Sequence, residues 1–195
     1  MRKLQLLDSP HHYGRISRLL HWTMSILFIW LFAGLYFEIV FGWRSKDSWI
    51  VPSHPNLGML LGVLALVRSI WALLNWKRRT SYGQGRRAVW ASAGHSFLYG
   101  LMLFGPLLAI VHWIGLGHGF SLYGIIPMFP AGVSKPALVH IVEATCSATS
   151  LTLHGWVGWA LLATIGGHLV MVGVHCFVWR TGIIVKMIGQ HNSHG

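Results

Sequence analysis

The sequence predicts an all-α, polytopic membrane protein built as a four-transmembrane-helix bundle. Three observations predict it. Hydrophobic residues make up 54% of the 195 and charged ones only 10%, against roughly 25% charged in an ordinary soluble domain. Four apolar runs each approach the ~20 residues a helix needs to cross a bilayer. The 15 Lys and Arg, against 4 Asp and Glu, lie mostly between those runs. On a soluble chain a formal net charge of +11 would point to nucleic acid. Here its placement reads as membrane topology, and no nucleic-acid partner is expected. The same composition excludes a disordered chain, which needs low hydrophobicity and high charge.

The first span runs over about 19–41 and holds His21 and Glu38 but no Lys or Arg. It is too long for a signal-peptide core and is followed by three more, so it reads as retained. The second covers about 55–76, with Arg68 as its only charge; the third, about 93–114, and the fourth, about 153–178, contain no Lys, Arg, Asp or Glu. Uninterrupted runs of this length favour helices over barrel strands, since backbone groups in lipid must be satisfied within the segment. Trp22, Trp43, Trp76, Trp90, Trp113 and Trp179 stand at the span ends, as interfacial aromatics do. No repeat or soluble-domain boundary interrupts the chain, so 1–195 reads as a single membrane domain. The longest connection, about 115–150, has room for a short helix near His140–Thr145.

Orientation follows from the connections. Arg2, Lys3, Arg15 and Arg18 precede the first span, Lys77, Arg78, Arg79, Arg86 and Arg87 join the second to the third, and Arg180 and Lys186 follow the last. That is eleven basic residues on one side against three, Arg44, Lys46 and Lys135, on the other. The positive-inside rule puts both termini in the cytoplasm. The basic second connection also suits contact with lipid headgroups or a partner. Cys146 and Cys176 then fall on opposite sides and cannot pair with each other.

Thirteen histidines are the compositional oddity. A His inside a span is costly and marks function unless it bonds a neighbouring helix or snorkels to the interface. His154 and His168 are 14 residues apart on the fourth span, which returns them to within about 40° of one face and separates them by about 21 Å along the axis. The second and fourth spans run the same way, so His54 and His154, at their starts, share the outer level. His21 shares the inner half with His168, provided the first helix begins before Arg18. One His pair at each of two levels suits two hexacoordinate haems within a bundle. With no CxxCH in the chain these are non-covalent b haems. A structural zinc site would instead want a closed tetrahedral set. Gly58, Gly62, Gly155, Gly158, Gly166 and Gly167 either let a flat macrocycle approach the backbone or pack helices closely. Arg68 lies 14 residues beyond His54, near the inner level. It either pairs with a haem propionate or snorkels to the cytoplasmic interface.

The segments YGRISRLLHW, HPNLGMLLGVLALVR, GHSFLYGLMLFGP and LHGWVGWALLATIGGHLVMVGVH, in this order and spacing, resemble the bacterial cytochrome b561 family of four-helix, di-haem membrane cytochromes. The resemblance covers about residues 13–188 and is weaker across 115–150. It implies that His21 and His168 ligate the cytoplasmic-side haem and His54 and His154 the outer one, in agreement with the depth argument. His95 and Tyr99 stand where the family has a His and a Tyr opening the third helix. Pro106 matches a Pro that kinks that helix, and His175 matches a family His.

Bis-His ligation fills both axial positions and so favours outer-sphere electron transfer. The chain therefore reads as a conduit in a bacterial inner membrane exchanging electrons with the quinone pool. The family's best-understood type implies superoxide oxidation on the periplasmic side with reduction of ubiquinone, which would make the chain a superoxide:quinone oxidoreductase. Arg44, Lys46 and Lys135 would steer such an anion, or are ordinary solvated loop charges. His112, His118 and His140 are outer-side candidates for proton handling or interfacial residues. His95 and Glu38 are candidates for proton supply at a quinone site. His11, His12, His191 and His194 lie in the tails and read as solvent-exposed. The competing reading is a cytochrome b relay and anchor subunit of a membrane dehydrogenase or hydrogenase, dependent on an iron–sulfur partner subunit. The glycine-rich faces also permit a homodimer. A transporter would need broken helices, for which the sequence gives no sign.

Overall fold

The computed structural model describes residues 6–10, 12–44, 48–78, 85–143 and 152–188. Arg2, Lys3, His11, Lys46, Arg79, Cys146, His191 and His194 lie outside the described residues. The chain forms α1 (Arg15–Phe41), α2 (His54–Leu74), α3 (Arg86–Gly115), α4 (Pro136–Glu143), α5 (Leu153–Gly173) and α6 (Ile183–Ile188). Two short antiparallel strands, β1 (Phe120–Leu122) and β2 (Ile126–Phe129), sit between α3 and α4. Four segments, Arg15–Phe41, Val51–Leu74, Arg86–Gly115 and Leu153–Val178, are long and apolar enough to cross a membrane. Only 6–22% of each apolar window is buried within the protein. Helices that leave this much Leu, Ile, Val and Phe uncovered have hydrocarbon as their solvent.

The ends of these helices follow local chemistry that hydropathy does not register. α1 begins at Arg15, ahead of Arg18, and stops where Gly42 adopts φ +65 and returns its N–H to the Phe37 carbonyl, a left-handed cap that glycine makes without strain. A 3-10 turn (Val51–Ser53) leads into α2, which carries Pro in its first turn. α3 starts at Arg86, well before the apolar run at about 93, because its first two turns are basic and aromatic but still helical. α5 starts at Leu153, where the Thr152 hydroxyl accepts from the Gly155 N–H at 3.1 Å. Beyond Gly173 the same span widens into a π turn over Val174–Val178. α4 takes the place of the expected short helix and begins a few residues earlier; Thr145 lies outside the described residues.

The packing has two half-cores. Met24, Leu61 and Ala65 are buried between α1 and α2, with Met102 and Leu103 of α3 against them. Leu108, Val142 and Val157 are buried between α3, α4 and α5. α3 is the element they share. It meets α2 where Pro106 presses on Gly62 so closely that a Cβ there would lie 2.9 Å from the Pro106 Cβ. Indole hydrogen bonds tie α1 to the α2 segment at both ends, Trp71 to Ser17 at 3.0 Å and Trp30 to Ser53 at 3.2 Å. α6 folds back onto the start of α1, where Arg18 and Trp22 donate to the carbonyls of Ile188 (2.8 Å) and Met187 (3.3 Å). At the far end the ribbon is held over α2 by the Tyr123 N–H, which donates to Asn56 Oδ1 at 2.6 Å.

Candidate functional site

Five of the span histidines, His21, His54, His95, His154 and His168, gather at two levels. At the first, His54 opens α2 and His154 lies in the first turn of α5. Their ring centroids are 6.1 Å apart and their planes cross at 81°. His154 Nδ1 lies 3.0 Å from the Gly105 carbonyl. A carbonyl can only accept, so Nδ1 carries the proton of this bond and Nε2 is the nitrogen left to meet a metal. Gly105 is the residue before Pro106, so the α3 backbone itself orients the ring.

The second level lies 14 residues, about 21 Å, further along α5. Here His168 and His95 of α3 have ring centroids 5.3 Å apart at 87°. His95 Nδ1 donates to the Ala91 carbonyl at 2.7 Å. His21 lies within electrostatic reach of Arg68, His95 and His168, and His168 within reach of His95 and Arg68. His21 also sets its ring 5.4 Å from that of Trp22. Arg68 is half-buried, and its Nε donates to the Tyr99 hydroxyl at 3.0 Å. Tyr99 sits within the α3 span, so Arg68 is held at depth. The sequence brings His21, His168 and Arg68 to one level, and the structure adds His95 and Tyr99 to them. Tyr99 could not be picked out as the partner of Arg68 from spacing alone, because the two are on different helices.

The remaining candidates sit elsewhere. Glu38 is exposed on α1 near Ile39 and Val40, away from both levels. His112 reaches Glu143 of α4 at 4.0 Å, and His118 stacks edge-on against Trp113 at 5.8 Å. His140 is exposed, and His12 bonds Ser9 in the N-terminal segment. His175 lies in the π turn, bonded to Thr181 at 2.9 Å and packed edge-on against Trp179 at 4.7 Å.

The space around the two levels fits a flat macrocycle. Gly58 and Gly158, each one turn past a level-one His, would meet nothing within 4 Å if given a Cβ, and the same holds for Gly166 and Gly167 beside His168. Gly62 is different, since Pro106 fills the space in front of it. The donor set is imidazole without a CxxCH, which suits non-covalent b haem. Among the described residues no three His, Cys, Asp or Glu side chains cluster tightly enough for a bare metal ion.

The family profile described as prokaryotic cytochrome b561 matches residues 12–190. The chain belongs to the prokaryotic cytochrome b561 family. It is 24% identical over 196 residues to cytochrome b561 homolog 2 of Escherichia coli (strain K12), covering 97% of this chain and 98% of that protein. As a prokaryotic cytochrome b561 the chain is a transmembrane b-type cytochrome of a bacterial membrane that works in electron transfer.

Proposed function

We propose that this cytochrome b561 family member holds two b haems and carries electrons from superoxide, on the outer side of the inner membrane, to ubiquinone. In this reading His54 and His154 ligate the outer haem, His21 and His168 the inner one, and Arg68 pairs with a propionate of the inner haem. The single observation that supports it best is the His54–His154 pair. Two metal–imidazole bonds of about 2 Å, with half a ring at each end, sum to roughly 6 Å between centroids, and the rings stand 6.1 Å apart. The Nδ1–H bond of His154 to a backbone carbonyl is the outer contact that metal-bound histidines ordinarily make.

Bound haem supplies one-electron carriage, and the protein supplies position and tuning. Two superoxide anions give up one electron each and leave as oxygen; one ubiquinone takes the two electrons with two protons and becomes quinol. Arg44 and Lys135 bring positive charge to the outer connections and draw the anion in. Tyr99 fixes Arg68 by its Nε, which aims the guanidinium within the bundle. Of the two proton-supply candidates, His95 stands at the inner level beside His168, whereas Glu38 faces outward.

A reduced-minus-oxidised spectrum with haem quantification tests the assignment. Two low-spin b haems per chain are expected, and His154→Ala should remove one. A single haem per chain, or full haem content in His154→Ala, would sink the ligand assignment. Superoxide pulses given to the purified chain with a soluble ubiquinone should yield quinol. A requirement for a co-purifying iron–sulfur subunit would instead assign the chain to the relay and anchor role.

A further inference from the structure

A cleft that the electron path does not use opens where α2 ends. It is an open groove with about 910 Å³ of space beside the helix end. Trp71, Leu73 and Leu74 of α2 and Leu7 of the N-terminal segment make its apolar wall, and Lys77 and Arg78 stand at its rim. None of its described lining residues is acidic.

The cleft is fixed on both sides. Trp71 is anchored through its indole to Ser17 of α1. The side-chain amide of Asn75, only 3% exposed, donates to the Trp71 carbonyl at 3.0 Å. Across from them, Leu7 is set by the fold of its own segment. Asp8 Oδ1 accepts from the Gly14 N–H at 2.8 Å, and a Cβ on Gly14 would collide with the Leu6 and Leu7 carbonyls. The residues just before α1 are thereby folded back against the end of α2.

Its position defines what fits. Leu73, Leu74 and Trp76 are exposed at the last turn of a membrane span. Tryptophan at that place marks headgroup depth, and the two cations follow immediately. An occupant must therefore be aliphatic on one side, anionic on the other, and at home at the interface. We propose that the cleft binds one anionic glycerophospholipid, with its phosphate at Lys77 and Arg78 and its acyl chains along Leu7, Leu73 and Leu74. Arg matches the phosphate by paired hydrogen bonds and Lys as a point charge. A zwitterionic lipid brings its own cation against Lys77 and Arg78. A quinone would satisfy the apolar wall but leave both cations unmatched.

The test uses haem-loaded protein exchanged into phosphatidylcholine vesicles containing a minor fraction of phosphatidylglycerol, with retained lipid read by native mass spectrometry. One phosphatidylglycerol per chain should survive in preference to phosphatidylcholine. Lys77→Ala with Arg78→Ala should weaken retention about 30-fold, at ~1 kcal/mol per basic residue. Removing the same number of charges at Arg15 and Arg86 should change it less than twofold. Haem absorbance of each variant verifies that it has folded. Equal retention of the two lipids, equal loss in the two double variants, or ubiquinone in place of the lipid overturns the proposal.

Discussion

At single residues the histidine pairs carry most of the consequences. His154 is oriented by the Gly105 carbonyl and faces His54 across the bundle; if the two ligate one haem as proposed, His54→Ala should lose the same haem as His154→Ala and leave the other in place. Spectra of the two variants should superimpose, and different residual haems would separate the pair. The sequence placed these four histidines at two depths because depth follows from residue number along a helix. It could not place His95 beside His168, since that contact depends on how α3 and α5 rotate against each other. The glycines show the same limit. Gly62 and Gly158 look alike in the sequence, yet one is filled by Pro106 and the other faces open space. Gly62→Val should therefore strain the α2–α3 contact by about 1–3 kcal/mol, seen as a lower thermal midpoint of the detergent-solubilised protein. Gly158→Ala should spare the helix packing and instead crowd the proposed outer haem, seen as lower haem content. Arg68 is held at depth by its bond to Tyr99 rather than drawn out to the interface.

At the scale of elements, the spans were legible because ~20 residues of hydrocarbon-compatible sequence admit few other structures. Their ends were less so. The first turns of α1 and α3 are basic, and a hydropathy reading drops them although nothing in them breaks a helix. The π turn at Val174–Val178 carries no proline to mark it, and the β1–β2 ribbon, three and four residues long with Pro127 inside β2, is too short for a strand-like alternation to stand out. The start of α5 is the end with the most at stake, because His154 lies in its first turn. Thr152 caps that turn through the Gly155 N–H, a contact worth about 1 kcal/mol. Thr152→Ala should fray the turn, which hydrogen exchange at residues 153–156 would register as faster exchange. The outer haem should then dissociate more readily than the inner one, and equal loss of both would show that the cap does not support His154.

For the whole molecule, function depends on which way up the bundle sits. Arg18 and Trp22 hold α6 at the start of α1, so the two ends of the described chain share one side whichever side that is. The charge bias is the ground for expecting that side in the cytoplasm: eleven basic residues border it and three border the other. The orientation matters for chemistry, because inverting the bundle would turn the His54–His154 level toward the cytoplasm and away from periplasmic superoxide. Single reporter cysteines decide it in a chain whose Cys146 and Cys176 have been replaced by Ser. A membrane-impermeant maleimide applied to cells with a permeabilised outer membrane should label Lys135→Cys, which is exposed beyond α3, and should leave Arg86→Cys, exposed at the start of α3, unlabelled until the inner membrane is broken. The reverse pattern would invert the bundle and remove the superoxide reading. It would leave the imidazole pairs untouched, since their spacing depends on how the helices pack and not on which face meets the cytoplasm. Labelling of both sites while the inner membrane is intact would mean mixed insertion. The charge difference between the two sides would then be too weak to orient this chain.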